Sequence, residues 1–442
     1  VCSLKSGGKR LVLCLCVSIR LFQQSLLDKY LFTATVRADG SSRFSKDNRW
    51  GIFPSLALAW RLKQESFLKD VAFVNDLKLR LGYGVTGQQD GIANYSYIPG
   101  YNLSSNTATY QFGNTFYNMY RPAAYDKDIK WEQTATTNIG LDYSFLNNRI
   151  SGTIDYYYKK TKDLLNEIPI PAGSNFSNKL LTNVGNITNQ GFEFTINATP
   201  IQTEKLSWDV SYNITLNKTK ITKLNQTEDP NYLGVLTGGI RGGTGNNIQI
   251  HSVNHAPGSF FVFKQLYDTN GKPIEGAYAD LNNDGIYNEK DRYQYKSPEP
   301  KVFMGFSTSL NYGKWNLSTA LRVSIGNYIY DNVSSSLAIF NEIINSNNFL
   351  QNTPKEIYKS KFSTAQYMSD YYVKNASFLK MDNLSLGYDF GKLFNNVGLR
   401  ASATVQNVFT WSKYKGIDPE RAIDNNLYPV PRTYSLNLSF SL

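Results

Sequence analysis

One stretch of the chain carries oxygen donors at the spacing a hard cation requires. In "DLNNDGIYNEKD" (280–291), Asp280, Asn282 and Asp284 stand at positions 1, 3 and 5 of a twelve-residue loop. Gly285 at position 6 permits a sharp turn, the carbonyl of Ile286 falls at 7, Asn288 at 9 and Asp291 at 12. Alternating Asp and Asn around one tight turn is the donor pattern of an EF-hand-like calcium loop. The expectation is a structural Ca²⁺ held by Asp280, Asn282, Asp284, Ile286, Asn288 and Asp291. Aspartate at position 12 reaches less far than glutamate, which makes bidentate ligation there less secure. The plainer alternative is an Asx-rich turn, since Asn, Asp and Gly favour turns without any metal. No flanking helices are expected, so the loop reads as a staple and not a sensor.

The other candidate sites are weaker. His251 and His255, the only histidines, are spaced i, i+4, but "HSVNHAPG" places Pro257 and Gly258 just behind them, with no cysteine near. Loop histidines are the better reading than a zinc pair. "GGIRGGTGN" (238–246) lacks the Lys-Ser/Thr ending and the strand-to-helix context of a phosphate loop, and reads as a flexible external loop. The segment 91–126 holds Tyr95, Tyr97, Tyr101, Tyr110, Tyr117, Tyr120 and Tyr125. Such rings could stack on sugars, bury against a partner or pack within their own loop. No nucleophile–base constellation is visible, and no enzyme is expected.

The elements that must position these loops are strands. From Tyr30 onward apolar and polar residues alternate with period two. Candidate strands fall at 31–38, 54–62, 76–86, 134–146, 149–161, 189–199, 205–217, 301–312, 314–325, 377–390, 396–408 and 432–442. Most are about 9–13 residues long, enough to cross a bilayer when tilted. In "DLKLRLGYG" (76–84), Leu77, Leu79, Leu81 and Tyr83 share one face while Lys78 and Arg80 take the other. In "WNLSTALRV" (315–323), Trp315, Leu317, Leu321 and Val323 oppose Asn316, Ser318 and Arg322.

Connections alternate between short and long. "NN" (147–148), a few residues around Pro200, and Gly313 make tight turns, whereas 87–133, 162–188, 218–300, 326–376 and 409–431 are long. Outer-membrane barrels have this asymmetry, with short periplasmic turns and long external loops. The closing "RTYSLNLSFSL" then runs inward as the last strand. The fold expected is all-β, an antiparallel transmembrane β-barrel. No apolar run approaches the ~20 residues of a helical span.

Residues 1–27 differ in style. They hold all three cysteines, Cys2, Cys14 and Cys16, and run from basic to continuously apolar. They are read as an anomalous stretch, from a shifted frame or a misassigned start, with the barrel occupying 28–442. Net charge is +11, but Lys and Arg are scattered, so no nucleic-acid partner is expected.

Several stretches carry a family likeness: "DKYLFTATVRADGSSRF" (28–44) with "NRWGIFPSLALAWRL" (48–62), "LKLRLGYGVTGQQ" (77–89), "SPEPKVFMGFSTSLNY" (297–312), "ASFLKMDNLSLGYDF" (376–390), "NVFTWSKYKGIDPE" (407–420) and "YPVPRTYSLNLSFSL" (428–442). In this order they resemble the C-terminal half of TonB-dependent outer-membrane receptors of the SusC/RagA type. The resemblance implies a nutrient importer for glycans or peptides, located in the outer membrane. It implies a barrel of 22 strands, of which about 12 would lie here, closed by a plug and capped by a SusD-like surface lipoprotein. Import would be driven by the TonB complex, through an N-terminal part not seen in this chain. On this reading the chain is a fragment that lacks plug and signal peptide. A soluble or surface-attached β-protein that binds glycans is the alternative, and a passive porin a third.

Overall fold

The computed structural model describes residues 15–105, 107–170, 179–225, 232–243, 245–344, 348–393, 397–423 and 428–441. Its frame is one antiparallel sheet of thirteen strands, each hydrogen-bonded to the next in chain order. These wall strands are β1 Leu15–Leu26, β2 Tyr30–Ser41, β3 Trp50–Arg61, β4 Val74–Gln88, β5 Glu132–Phe145, β6 Ile150–Lys162 and β7 Asn186–Gln202. They continue as β8 Leu206–Lys223, β9 Val302–Tyr312, β10 Trp315–Ile325, β11 Phe378–Leu393, β12 Val397–Ser412 and β13 Thr433–Ser441. All twelve expected strands are present. Within the described residues the sheet has two edges, β1 and β13.

Register sorts side chains to two faces, because residues directly opposite in an antiparallel pair point the same way. Leu79 lies opposite Trp60 and Leu141, and Leu81 opposite Leu58 and Ile139. Leu317 lies opposite Leu310 and Leu386, and Leu436 opposite Ala403. These residues form one continuous apolar face. None of it enters a protein core: Leu436 is 74 % exposed, and Ile52 and Trp411 are similarly open. A soluble protein does not leave so long an apolar surface in water, which removes the soluble alternative. Hydrocarbon is the medium that suits it, and the ladder satisfies the backbone groups there.

Aromatics gather at both ends of the outward face, as the two interfaces demand. Tyr30 and Trp60 stack at 6.3 Å near the short-turn end, and Trp315 meets Tyr388 edge-on at 4.6 Å. Glu65 fixes the first pair, accepting from Trp60 Nε1 (3.0 Å), Tyr30 Oη (2.8 Å) and Lys29 Nζ (3.0 Å). Trp50, Trp411 and Tyr434 hold the opposite rim.

Two glycines in the wall are covered by rings. Tyr157 on the inward face crosses Gly191, and its hydroxyl donates to Asn217 Oδ1 at 2.9 Å. Tyr143 on the outward face crosses Gly152 and donates to the carbonyl of Thr195 at 3.0 Å. A ring laid over a strand glycine fills the missing side chain and pins register. A Cβ at Gly191 would run into the Tyr157 ring and the Leu216 carbonyl. Gly191→Ala is expected to cost about 1–3 kcal/mol through overpacking. The check is a lower temperature at which the folded barrel loses its resistance to SDS.

One expectation needs correction. The wall reaches upstream of Asp28, because Leu15–Leu26 forms β1 and pairs with β2 along its whole length. The alternation was hidden there because Val17, Ile19 and Leu21 fall on the inward side, opposite Asp39, Arg37 and Thr35. From Phe22 onward the residue types return to phase, with Phe22 and Leu26 outward and Gln23 and Ser25 inward. The long connections carry structure of their own. Segments 224–301 and 326–377 build short strands and helical turns that share a core of Ile248, Phe260, Val262, Tyr330, Phe362 and Tyr372. A second core of Phe44, Phe53, Ile92, Ile129 and Trp131 lies under the loop after β4.

Candidate functional site in the external loops

The twelve-residue loop closes by bonding its own backbone. Asp280 accepts from the amides of Gly285 (2.7 Å) and Asp284 (3.3 Å), and Asn282 Oδ1 also accepts from Asp284 N at 2.9 Å. Asp284 accepts from Ile286 N at 3.0 Å, and Asn288 Oδ1 from Lys290 N at 2.9 Å. Gly285 takes φ +83°, the left-handed turn expected at position 6. The six sequence-derived positions therefore share one loop.

Asp291 plays a part the spacing did not reveal. It is fully buried and accepts from Leu281 N (2.9 Å), Asn282 N (3.3 Å) and Asn288 N (2.8 Å). The amide of Asn288, with those of Leu281 and Asn282, holds its carboxyl below the usual range. Its neighbour Arg292 anchors the loop to the unit beneath, donating to the carbonyls of Asn247 (2.6 Å) and Phe261 (2.7 Å). Among the described residues no three His, Cys, Asp or Glu side chains converge as a metal cluster.

A lowered carboxyl contributes stability that is complete above its unfolded pKa and lost as pH falls through the folded one. The Asp291 staple is therefore expected to hold above about pH 4 and to release below it. The hydrogen-exchange protection of 280–291, taken relative to the intrinsic rate at each pH, should fall on acidification in the parent protein. Asp291→Asn should remove most of that pH dependence.

His251 lies on the strand Asn247–His251, and its Nδ1 accepts from Gly258 N at 3.0 Å. Burial pushes its pKa down, so it is a neutral structural group. His255 sits in the following turn, where its carbonyl accepts from Ile221 N at 2.9 Å. The glycine-rich stretch caps the strand Val235–Gly239, with Gly238 packed on Gln249 and Gly242 on Tyr367. The tyrosine-rich segment divides its roles. Tyr97 packs on the Phe44–Trp131 core. Tyr101–Leu103 with Tyr120–Pro122, and Thr109–Phe112 with Thr115–Asn118, form a projecting hairpin that exposes Tyr101, Tyr110, Tyr117 and Tyr120.

The inward face carries a feature that alternation placed but could not connect. Arg80 Nε binds Asp142 at 2.7 Å and Arg80 Nη2 binds Asp155 at 3.0 Å, while Lys78 Nζ holds Asp142 at 2.7 Å. Gly140 leaves room for the guanidinium, since a Cβ there would strike Arg80 and Asp155. Farther round, Arg322 clamps Asp382 (2.5 and 2.9 Å) and reaches Glu420 of the loop after β12 at 3.0 Å. These parts of the inner wall are thus fixed, ion-paired polar surfaces.

A strand wall greasy outside and ion-paired inside, with structured loops at one end, matches known proteins. A family model described as "TonB dependent receptor-like, beta-barrel" matches residues 21–408. The chain belongs to this family. The TonB-dependent receptor SusC of Bacteroides thetaiotaomicron is 48 % identical over 424 residues, covering 94 % of this chain and 42 % of SusC. TonB-dependent receptor P3 of Formosa agariphila is 30 % identical over 453 residues, covering 93 % of this chain and 44 % of its own length. This TonB-dependent receptor barrel therefore spans less than half the length of those relatives. Among solved structures, the RagAB peptide transporter superposes with TM-score 0.76 at 23 % identity, covering 96 % of this chain and 47 % of that one. The open-open state of the RagAB importer gives 0.78. That likeness concerns the fold. The family match begins at residue 21, within β1, and membership places this wall in the outer membrane.

Proposed function

We propose that this barrel wall and its external loops serve an importer of glycan or peptide nutrients. The observation that carries the reading is the 48 % identity to SusC across nearly the whole chain. In this reading cargo is held between the external loops and a SusD-like surface lipoprotein. Displacement of a plug, driven by the TonB complex, then opens a passage along the polar inner wall. The wall residues supply no reactive group, and the chain acts as a conduit without chemistry on its cargo. Uptake of a labelled oligosaccharide and peptide panel by cells with and without the receptor tests this. One cargo class should be lost on deletion, and its uptake should stop when the proton gradient is collapsed. Uptake that survives collapse would point to the passive porin.

The loop 280–291 is proposed to bind Ca²⁺ as a structural ion. Its oxygen set, its left-handed Gly285 and its wrapped carboxylates suit a hard cation. A metal would compete with the three amides that already occupy Asp291. Calcium should raise the melting temperature of the purified receptor, and joint Asp280→Ala and Asp284→Ala substitution should abolish that rise. An identical calcium response in both proteins would leave only the Asx-rich turn.

A further inference from the structure

The outward face changes character in one place. At the loop end of most wall strands it stays apolar, with Ile52, Ile325, Trp411 and Tyr434 exposed there. On β6 and β8 it carries lysines. Lys160 and Lys220 flank Thr188 in one cross-strand row, and Lys218 lies opposite Gln190, in the row that ends at Tyr158, one step nearer the membrane. Lys162 lies one step beyond Lys160 on the same face. Strands are spaced by about 4.8 Å and alternate residues by about 7 Å, so the four stems start within a patch about 10 Å wide and about 14 Å along the strands.

Three observations make this patch more than a solvated edge. The residues directly below it, Tyr156, Phe192 and Leu216, belong to the apolar face, so the lysines stand where hydrocarbon gives way to headgroups. Among the described residues none of the four has an ion-pair partner, in contrast to Lys78, Arg80 and Arg322 on the inner wall. Beside Lys218 and Lys220 opens a cavity of about 470 Å³, also lined by Lys296 and Lys301, with Glu299 its single carboxylate.

We propose that Lys160, Lys162, Lys218 and Lys220 form a site for the phosphate groups of an anionic glycolipid in the outer leaflet. The lysines lie on the outward face, just above the aromatic level, so the anion best placed to reach them is a headgroup. Each lysine near an anionic surface adds to the attraction, and the effect is screened by salt. The neighbouring cavity gives the site depth, and the row gives it more than one contact. The site is independent of the cargo.

The test uses the receptor isolated from outer membranes in detergent. A variant with all four lysines changed to Gln is compared with a charge-matched control carrying Gln at the exposed loop residues Lys264, Lys272, Lys355 and Lys415. Co-purified bisphosphorylated glycolipid is quantified. The four-lysine variant should retain at least about tenfold less, and the control as much as the parent. Equal retention in all three overturns the proposal. If the variant does not assemble, the parent is titrated with mixed micelles of phosphorylated or dephosphorylated glycolipid. A preference for the phosphorylated form that fades with salt supports the site, and equal binding overturns it. Displacement by millimolar inorganic phosphate alone would assign the site to a soluble anion and overturn the lipid reading.

Discussion

Replacing Phe260 with alanine is expected to melt the external unit while the wall stays assembled. Phe260 is fully buried among Ile248, Val262, Tyr330, Phe362 and Tyr372. Removing a buried phenyl ring costs about 3–5 kcal/mol, the transfer loss plus the cavity left behind. The unit is small, so this is a large part of what holds it. The wall draws on a separate source, its continuous ladder and the lipid around it. Limited proteolysis separates the two: new cuts should appear within 232–300 and 327–376, while the SDS-resistant barrel persists. Loss of both together would show that wall and unit fold as one.

The second large effect is expected at Arg80. Methionine there leaves Asp155 with only the amide of Asn138, at 3.3 Å, and Asp142 with Lys78 alone. An unpaired, partly buried carboxylate is costly. Since Arg80 is about one-third exposed, the loss is discounted to about 2 kcal/mol. Arg80→Met with Asp155→Asn should recover part of it, because the second change removes the stranded charge. Urea unfolding of the parent, both single variants and the double variant measures that coupling. Additive losses would mean the ion pair does not act as a unit.

Much of the wall was legible because its physics is local. Leu77, Leu79 and Leu81 against Lys78 and Arg80 state both faces of β4 without reference to any other strand. β1 was illegible because apolar Val17, Ile19 and Leu21 sit on the inward face, opposite Asp39, Arg37 and Thr35, so residue type did not report its side. The external unit escaped notice for another reason. Its strands, such as Ser259–Val262 and Tyr328–Tyr330, are too short to show a period, and their partners lie far along the chain. The tight Asx-rich turn at 280–291 was visible from spacing, yet Asp291 as a buried staple was not, since burial depends on what packs around it. Likewise Arg80 was placed inward, but its two aspartates come from β5 and β6, and only register brings them within reach.

The external unit draws its core from two loops that leave different gaps of the wall. Ile248, Phe260 and Val262 come from the first, and Tyr330, Phe362 and Tyr372 from the second. Glu275 of the first accepts from the amides of Ser363 (3.0 Å) and Thr364 (2.8 Å) of the second. Neither segment can therefore be swapped alone. A graft of one from a cousin would face a mismatched mate and a broken seam, whereas a graft of both carries its own fit. Variation in this unit has to be inherited as matched sets.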